Sequence, residues 1–264
     1  MSVIFDVHLA KLYESWYLSS MGRAMEAFVE KNLPLLIAPQ PGERILEIGC
    51  GSGNHLLFLN RLGLNLTGVD ASPYMINLCK KRLGSRCTLK TGRAEDLPFD
   101  DNEFDIAIFI NTLEFLDSPQ QALREAGRVA RRKIFITVIN NLSWQCLLHR
   151  ISGSFKKNLF HHAQSFNLWQ IKSQLKVAYG DVPIGWRSAK IQSHFPPGRW
   201  SEKINTLNCP FGPFLGISAA ISYTMKTDNL SLKVKKTAQK QSIVEGTTTI
   251  RSDKISESNK VENT

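Results

Sequence analysis

Along the first forty residues apolar positions recur every three or four places: Leu9, Leu12, Tyr13, Trp16 and Tyr17, then Met25, Phe28, Val29 and Leu33. That period predicts amphipathic helix over 1–40, ending near Pro34, with Pro39–Gly42 as a connector. From Arg44 the pattern changes. Short apolar runs at Arg44–Ile48, Leu64–Val69, Cys87–Lys90, Glu103–Ile110 and Lys133–Ile139 predict strands. They alternate with helical stretches at His55–Leu62, from Ser72 to Leu83 and from Ser118 to Val129. Ser72-Pro73 and Ser118-Pro119 each read as an N-cap followed by proline at the first helical position. Several of the runs are continuously apolar, IAIFI at 106–110 most of all, whereas a strand buried on one face would alternate. An α/β sandwich follows, with a mostly parallel sheet covered by helices on both faces.

This rhythm is lost over 141–190, where helical stretches carry many Trp, His and Lys residues. Strand candidates return at Ser188–Ser193 and Gly216–Met225. From Lys226 the chain is polar and poor in apolar residues, so 226–264 reads as a disordered tail.

The chemistry points to one place. Residues 45–54 read ILEIGCGSGN: a strand runs into Gly49-x-Gly51-x-Gly53, and a helix follows. Glycines at such a bend permit positive φ and close approach of a ligand to the backbone, and the helix start beyond offers free N–H groups. Asp70 ends the next strand, where a carboxylate accepts from ribose hydroxyls. A nicotinamide or flavin dinucleotide fingerprint needs a third small residue at position 54, which is Asn54 here, and so is disfavoured.

These motifs resemble the class I S-adenosylmethionine-dependent methyltransferases, and within them the ubiquinone/menaquinone-biosynthesis-type branch. LEIGCGSGN resembles the first motif and GVDASPYM at 68–75 the second. GRAEDLPFDDNEFDIAIFINTLEFLDSPQQALREAGRV at 92–129 resembles the next two, and the likeness runs from about residue 40 to 140. The resemblance implies a Rossmann-like doubly wound sheet of seven strands in the order 3-2-1-4-5-7-6, the last strand antiparallel. It implies a helical lid at 1–40, a methyltransferase domain at 41–225 and a substrate-cap elaboration at 141–190. It also implies S-adenosyl-L-methionine as cofactor. Glu47, Gly49 and Gly51 would line its methionine part, with Gly53 in the same loop. Asp70 would hold the ribose, and Ala71 and Met75 would border the adenine. Ala94, Glu95 and Asp96 would close over the adenine edge. Asn111, Thr112 and Leu113 would lie under the sulfonium. Related enzymes often carry Glu-His after the fourth strand, where this chain has Glu114-Phe115. Asn111 and Glu114 are the candidate catalytic residues.

Charge and cysteine usage narrow the setting. The net charge is +10, and all of it lies after residue 140, where 17 basic residues face 7 acidic ones. The aromatic and basic residues Trp144, His149, Arg150, Phe155, Lys156, Lys157, Phe160, His161, His162, Phe166 and Trp169 suit a small acceptor of acidic or aromatic character. An RNA- or protein-modifying methyltransferase and a catalytically silent cofactor-binding scaffold are the competing readings; nucleic acid is not favoured as a partner. His149, His161, His162 and His194 have no acidic or cysteine partner at ligand spacing, so no metal site is expected. Five cysteines without a C-x-x-C pair fit free thiols in the cytoplasm. No apolar run is long enough to span a membrane.

Overall fold

A computed structural model describes residues 4–143, 163–190 and 205–221. The polar tail expected at 226–264 lies outside the described residues, as do His194 and the aromatic and basic residues from Trp144 to His162.

Two helices lead: α1 (Val7–Tyr17) and α2 (Ser20–Ile37). The Asp6 side chain caps α1 by accepting from the Leu9 N–H, and the Ser19 hydroxyl caps α2 by accepting from the Gly22 N–H. Pro34 does not end α2, contrary to the sequence expectation; the helix runs on to Ile37. Proline removes one donor, the partner of the Glu30 carbonyl, and Glu30 is exposed to water. The C-terminus is then fastened by cations: Lys133 Nζ donates to the Ile37 carbonyl at 2.9 Å, and Arg132 Nη1 donates to the same carbonyl at 3.2 Å.

The α/β core follows in order: β1 (Arg44–Ile48), α3 (Asn54–Asn60), β2 (Asn65–Asp70), α4 (Pro73–Leu83), β3 (Thr88–Thr91), β4 (Phe104–Ile110), a 3-10 turn (Leu113–Phe115), α5 (Pro119–Val129) and β5 (Ala130–Ile139). Then come α6 (Leu168–Tyr179), β6 (Ile184–Lys190), β7 (Asn205–Leu207) and β8 (Phe214–Ala220). From Arg44 to Ile139 the expected strands and helices are all present, with ends moved by up to three residues; the later candidates Ser188–Ser193 and Gly216–Met225 overlap β6 and β8 and run on outside the described residues.

The sheet order is β3-β2-β1-β4-β5-β8-β6-β7. β3, β2, β1, β4 and β5 run parallel, while β8 is antiparallel to both β5 and β6. This is the expected order with one correction: there are eight strands, not seven, because β7 adds an antiparallel edge strand to β6. Three residues of β7 carry no periodicity that a sequence could display.

The run at 106–110 is buried on both faces, as its composition demands. Ala107 and Phe109 join Leu46, Ile48, Ile134 and Ile136 in a core beneath α5 and α6. Ile106 and Ile108 join Ile45 and Phe135 in a second core beneath α2, α3 and α4. The alternation of Cβ atoms across the pleat sorts neighbours in sequence into these two cores.

α2 packs on the sheet, with the Phe28 and Phe214 rings 6.1 Å apart. Within 141–190, α6 packs on α5 through the Tyr179 hydroxyl, which donates to the Leu123 carbonyl, and β6 is a sheet strand.

Candidate active site

The carboxyl ends of β1, β2 and β4 open into one cleft of about 710 Å³, counting its mouth. Its floor is the loop after β1. Gly49 and Gly51 have φ of +72° and +51°, and the Gly49 and Cys50 N–H groups donate to the Val69 carbonyl at 2.8 and 3.0 Å. A Cβ on Gly49 would sit 2.3 Å from Thr112 Cγ2, so the β1 and β4 loops meet only because this residue has no side chain. Thr112 completes that junction by donating from Oγ1 to the Ile48 carbonyl at 3.0 Å.

Asp70, at the end of β2, fixes the loop from the other side. Oδ2 accepts from the Gly51 N–H at 2.9 Å and Oδ1 from the Ser72 N–H at 2.8 Å. A carboxylate offers about four lone-pair positions, so capacity for two further donors remains towards the cleft. Burial raises its pKa, against the lowering by the Ser72 and Gly51 N–H groups.

The structure brings Gly49, Gly51, Asp70, Ala71, Met75, Ala94, Glu95, Asn111 and Thr112 together on the cleft wall. Five expected site residues do not line it. Glu47 is buried behind the loop, with Oε1 3.1 Å from His55 Nδ1. Gly53 serves packing, since a Cβ there would meet Cys79 Sγ at 2.5 Å and Leu83 at 2.8 Å. Asp96 is exposed and pairs with Arg93 through the backbone. Leu113 is fully buried in the core under α5.

Glu114 is the fifth. Its side chain turns inward, and Oε1 accepts from the Ile139 N–H at 2.9 Å. Burial pushes its carboxyl up to about 7, although the Ile139 N–H works in the opposite direction. Glu114 therefore fastens the end of β5 rather than facing the cleft.

Asn111 stands differently. It has φ of +50°, a left-handed conformation that is costly for a side-chain-bearing residue, and its N–H donates to the Thr137 carbonyl at 3.1 Å. Its Oδ1 is buried without a partner among the described residues, on the cleft wall.

Residues outside the cofactor set that the resemblance implies complete the cleft: Phe5, Tyr13, Gly92, Arg93, Ile110, Phe115 and Leu116. Phe115 occupies the place where related enzymes often carry histidine, and that substitution was its only signal. Phe5 arrives from the N-terminus. Its ring lies edge-on to Phe115 at 5.3 Å and to Tyr13 at 6.0 Å, and its carbonyl accepts from the Ser72 hydroxyl. Tyr13 lies over Gly51, and burial, then Glu47 and Asp70, raise its phenol pKa. Among the described residues no group of three or more His, Cys, Asp or Glu side chains is placed to hold a metal ion, and no helix is long and apolar enough to cross a membrane.

Residues 46–136 match the methyltransferase domain family. An uncharacterized protein of Methanocaldococcus jannaschii is 34% identical over 143 residues, covering 53% of this chain and 63% of that relative. The phthiotriol/phenolphthiotriol dimycocerosates methyltransferase of Mycobacterium leprae is 38% identical over 93 residues, 34% of each chain. The chain thus spans less than two thirds of the length of these relatives. Among solved structures, a SAM-dependent methyltransferase of Thermotoga maritima, described as a possible histamine N-methyltransferase, superposes with a TM-score of 0.63 at 24% identity, covering 79% of this chain and 93% of that one. The glycine loop and the Asp70 anchor fall within the region that matches the methyltransferase domain family, and the sheet order β3-β2-β1-β4-β5 is that of the class I S-adenosylmethionine-dependent methyltransferase fold.

Proposed function

We propose that the protein transfers a methyl group from S-adenosylmethionine to a small-molecule acceptor at O, N or C. The observation that carries this reading is the pairing, in one cleft, of an open glycine loop with the spare capacity of Asp70 and the unpartnered Asn111 Oδ1. Gly49 and Gly51 leave room for the methionine part. Asp70 has lone pairs left for ribose hydroxyls, and Ala71, Met75, Ala94 and Glu95 border the space for adenine. When bound, the cofactor supplies an electrophilic methyl on a sulfonium. The chain's part is orientation and exclusion of water. Asn111 is held rigidly by its strained backbone, with an oxygen free to position the acceptor or the methyl group. Phe5, Phe115 and Leu116 shield the same end of the cleft from water, which suits an acceptor with an aromatic or apolar part.

The name of the M. leprae relative, a phthiotriol/phenolphthiotriol dimycocerosates methyltransferase, supports an acceptor that is neither RNA nor protein. Gln164, within the expected cap at 141–190, donates from Nε2 to the carbonyl of the cleft residue Leu116 at 2.8 Å, which supports an acceptor bound at that end. Free thiols at Cys50, Cys79, Cys87 and Cys209 support a cytoplasmic setting. Calorimetric titration with S-adenosylhomocysteine and S-adenosylmethionine, with NAD as control, tests the reading. Micromolar binding of the first two alone is expected. Binding of NAD alone, or of none, overturns it.

A further inference from the structure

Among the described residues that line the cleft, the side chains able to titrate are Tyr13, Asp70, Arg93 and Glu95. None is placed as a general base. Asp70 receives a backbone N–H on each oxygen, from Gly51 and from Ser72. Glu95 is paired with Arg93 at 3.5 Å. Burial keeps the Tyr13 phenol protonated, and Glu47 and Asp70 act in the same direction. Glu114, the acid that follows the fourth strand, is turned away onto the Ile139 N–H. Beside it stands Phe115, which has no proton to exchange.

What the cleft does offer suits positive charge. The Phe5 ring stands nearly perpendicular to Phe115, at 82° and 5.3 Å, and to Tyr13, at 85° and 6.0 Å. All three rings line the cleft, and the π face of an aromatic ring attracts a cation. Asn111 Oδ1, without a partner among the described residues, belongs to a side chain on the same wall. A carbonyl oxygen only accepts, so it favours an N–H or a cation over an anion. Arg93 is the one basic side chain among the described lining residues, against the two acids Asp70 and Glu95.

We propose that the methyl acceptor is an amine bearing an aromatic or apolar group, methylated on nitrogen in its neutral form. This narrows the methyl-transfer reading given above, on which it rests, from O, N or C to nitrogen. An alcohol or a C–H acceptor must lose a proton as it reacts, and no described side chain of the cleft stands ready to take it. A neutral amine attacks with the lone pair it already has. That pair forms the N–C bond while the S–C bond breaks, and sulfur keeps the electrons of the broken bond. The product is a methylammonium, which gives up its proton to water afterwards. The positive charge thus passes from sulfur to nitrogen and is never lost during the transfer. Aromatic faces and a carbonyl oxygen stabilise that charge at both ends of its path. A carboxylate or phenolate acceptor would cancel the charge and meet two acids, with Arg93 already engaged by Glu95.

The test gives the full chain S-adenosylmethionine and two matched sets of probes, with S-adenosylhomocysteine titrated in parallel. One set is 2-phenylethylamine, 2-phenylethanol and phenylacetate; the other is hexylamine, hexanol and hexanoate. Methylation of an amine is expected, with kcat/KM at least about ten-fold above its matched alcohol and acid. Its rate is expected to rise about ten-fold per pH unit up to the pKa of the amine itself, near about 10, because no residue takes the proton. Phe115→Leu is expected to lower kcat/KM for the amine by about five- to thirty-fold, and Phe115→Tyr, which keeps a π face, by no more than about three-fold. If Phe115→Leu does not fold by thermal melting, Phe5→Leu and Phe5→Tyr are read in its place. Preference for an alcohol or an acid, no methylation of either amine, a pH profile that levels off well below the pKa of the amine, or equal losses in the Leu and Tyr variants overturns the proposal. With S-adenosylhomocysteine still bound, any of these results leaves the cofactor reading standing. Failure of the unaltered protein to bind S-adenosylhomocysteine removes the cofactor reading and this proposal together.

Discussion

The parallel strands β3, β2, β1, β4 and β5 and the antiparallel strands β8, β6 and β7 belong to one sheet, yet they are held by different kinds of contact. In the parallel part the joints tie the loops at the carboxyl ends of β1, β2 and β4 to one another: Asp70 with Gly51 and Ser72, Thr112 with Ile48, Gly49 against Thr112. In the antiparallel part the joints tie the segment between β7 and β8 to the end of β5 and to β6. Asn140 Nδ2 donates to the Pro210 and Gly212 carbonyls, both at 2.7 Å, and the Ser188 hydroxyl donates to the Leu207 and Cys209 carbonyls. The first arrangement builds a cleft from backbone and small residues, which leaves few substitutions tolerable. The second uses side chains to hold irregular loops, and such loops can be rebuilt for different acceptors. Glu114 stands between the two parts: its carboxylate receives the Ile139 N–H of β5 and its carbonyl the Gln164 N–H before α6.

The comparison can be broken most sharply at Gly49. A valine there meets Thr112 and also needs a left-handed backbone, so Gly49→Val is expected to cost at least about 3 kcal/mol of stability and to abolish cofactor binding. Chemical denaturation and calorimetry read both, and normal binding in this variant would sink the loop assignment.

Glu114 gives a pH signature at the junction. Its carboxyl is raised to about 7 by burial, so between its ordinary value near 4.5 and 7 the folded chain keeps a proton that the unfolded chain releases. The contribution of Glu114 to stability is complete below about 4.5 and is lost as pH rises through 7. Measured by denaturation at pH 4 and pH 8, Glu114→Gln is expected to gain on the unaltered protein by roughly 3 kcal/mol over that interval. A constant difference would show that the carboxyl ionises freely in the fold.

Within the antiparallel part, Asn140→Ala removes the Nδ2 donor from two half-buried carbonyls, Pro210 and Gly212, and is expected to destabilise by about 1–2 kcal/mol. Cofactor affinity should stay within about two-fold, because no Asn140 contact reaches the cleft. A large loss of affinity would mean that the two parts are coupled more tightly than their contacts suggest. An effect of similar size belongs to Asp70→Ala, expected to weaken S-adenosylhomocysteine by about 1–2 kcal/mol. Unchanged calorimetric affinity would remove Asp70 from the ribose site.

Much of the cleft could be read before any coordinate. Gly49, Gly51 and Asp70 announce themselves because backbone approach and positive φ restrict the residue type at those positions. Asn111 and Thr112 follow from their place after an apolar strand. Glu114 is the instructive miss: an acid beside the strand end suggests chemistry, but which way a side chain turns at a 3-10 turn depends on what packs against it, here the end of β5. Gly53 fails as a site residue for a similar reason, since its missing side chain makes room for Cys79 rather than for a ligand.

By itself the sequence determined the two-sided parallel sheet, the glycine loop with its acidic anchor, and the likeness of residues 46–136 to the methyltransferase domain family. Those features rest on local propensity, strand periodicity and steric limits that act within a few residues. Tertiary structure alone decided that Phe5 joins the cleft wall, that α2 joins the sheet layer, that β7 adds an eighth strand, and that Glu114 turns inward. Each of these depends on contacts between segments far apart in the chain, whose partners no local pattern encodes.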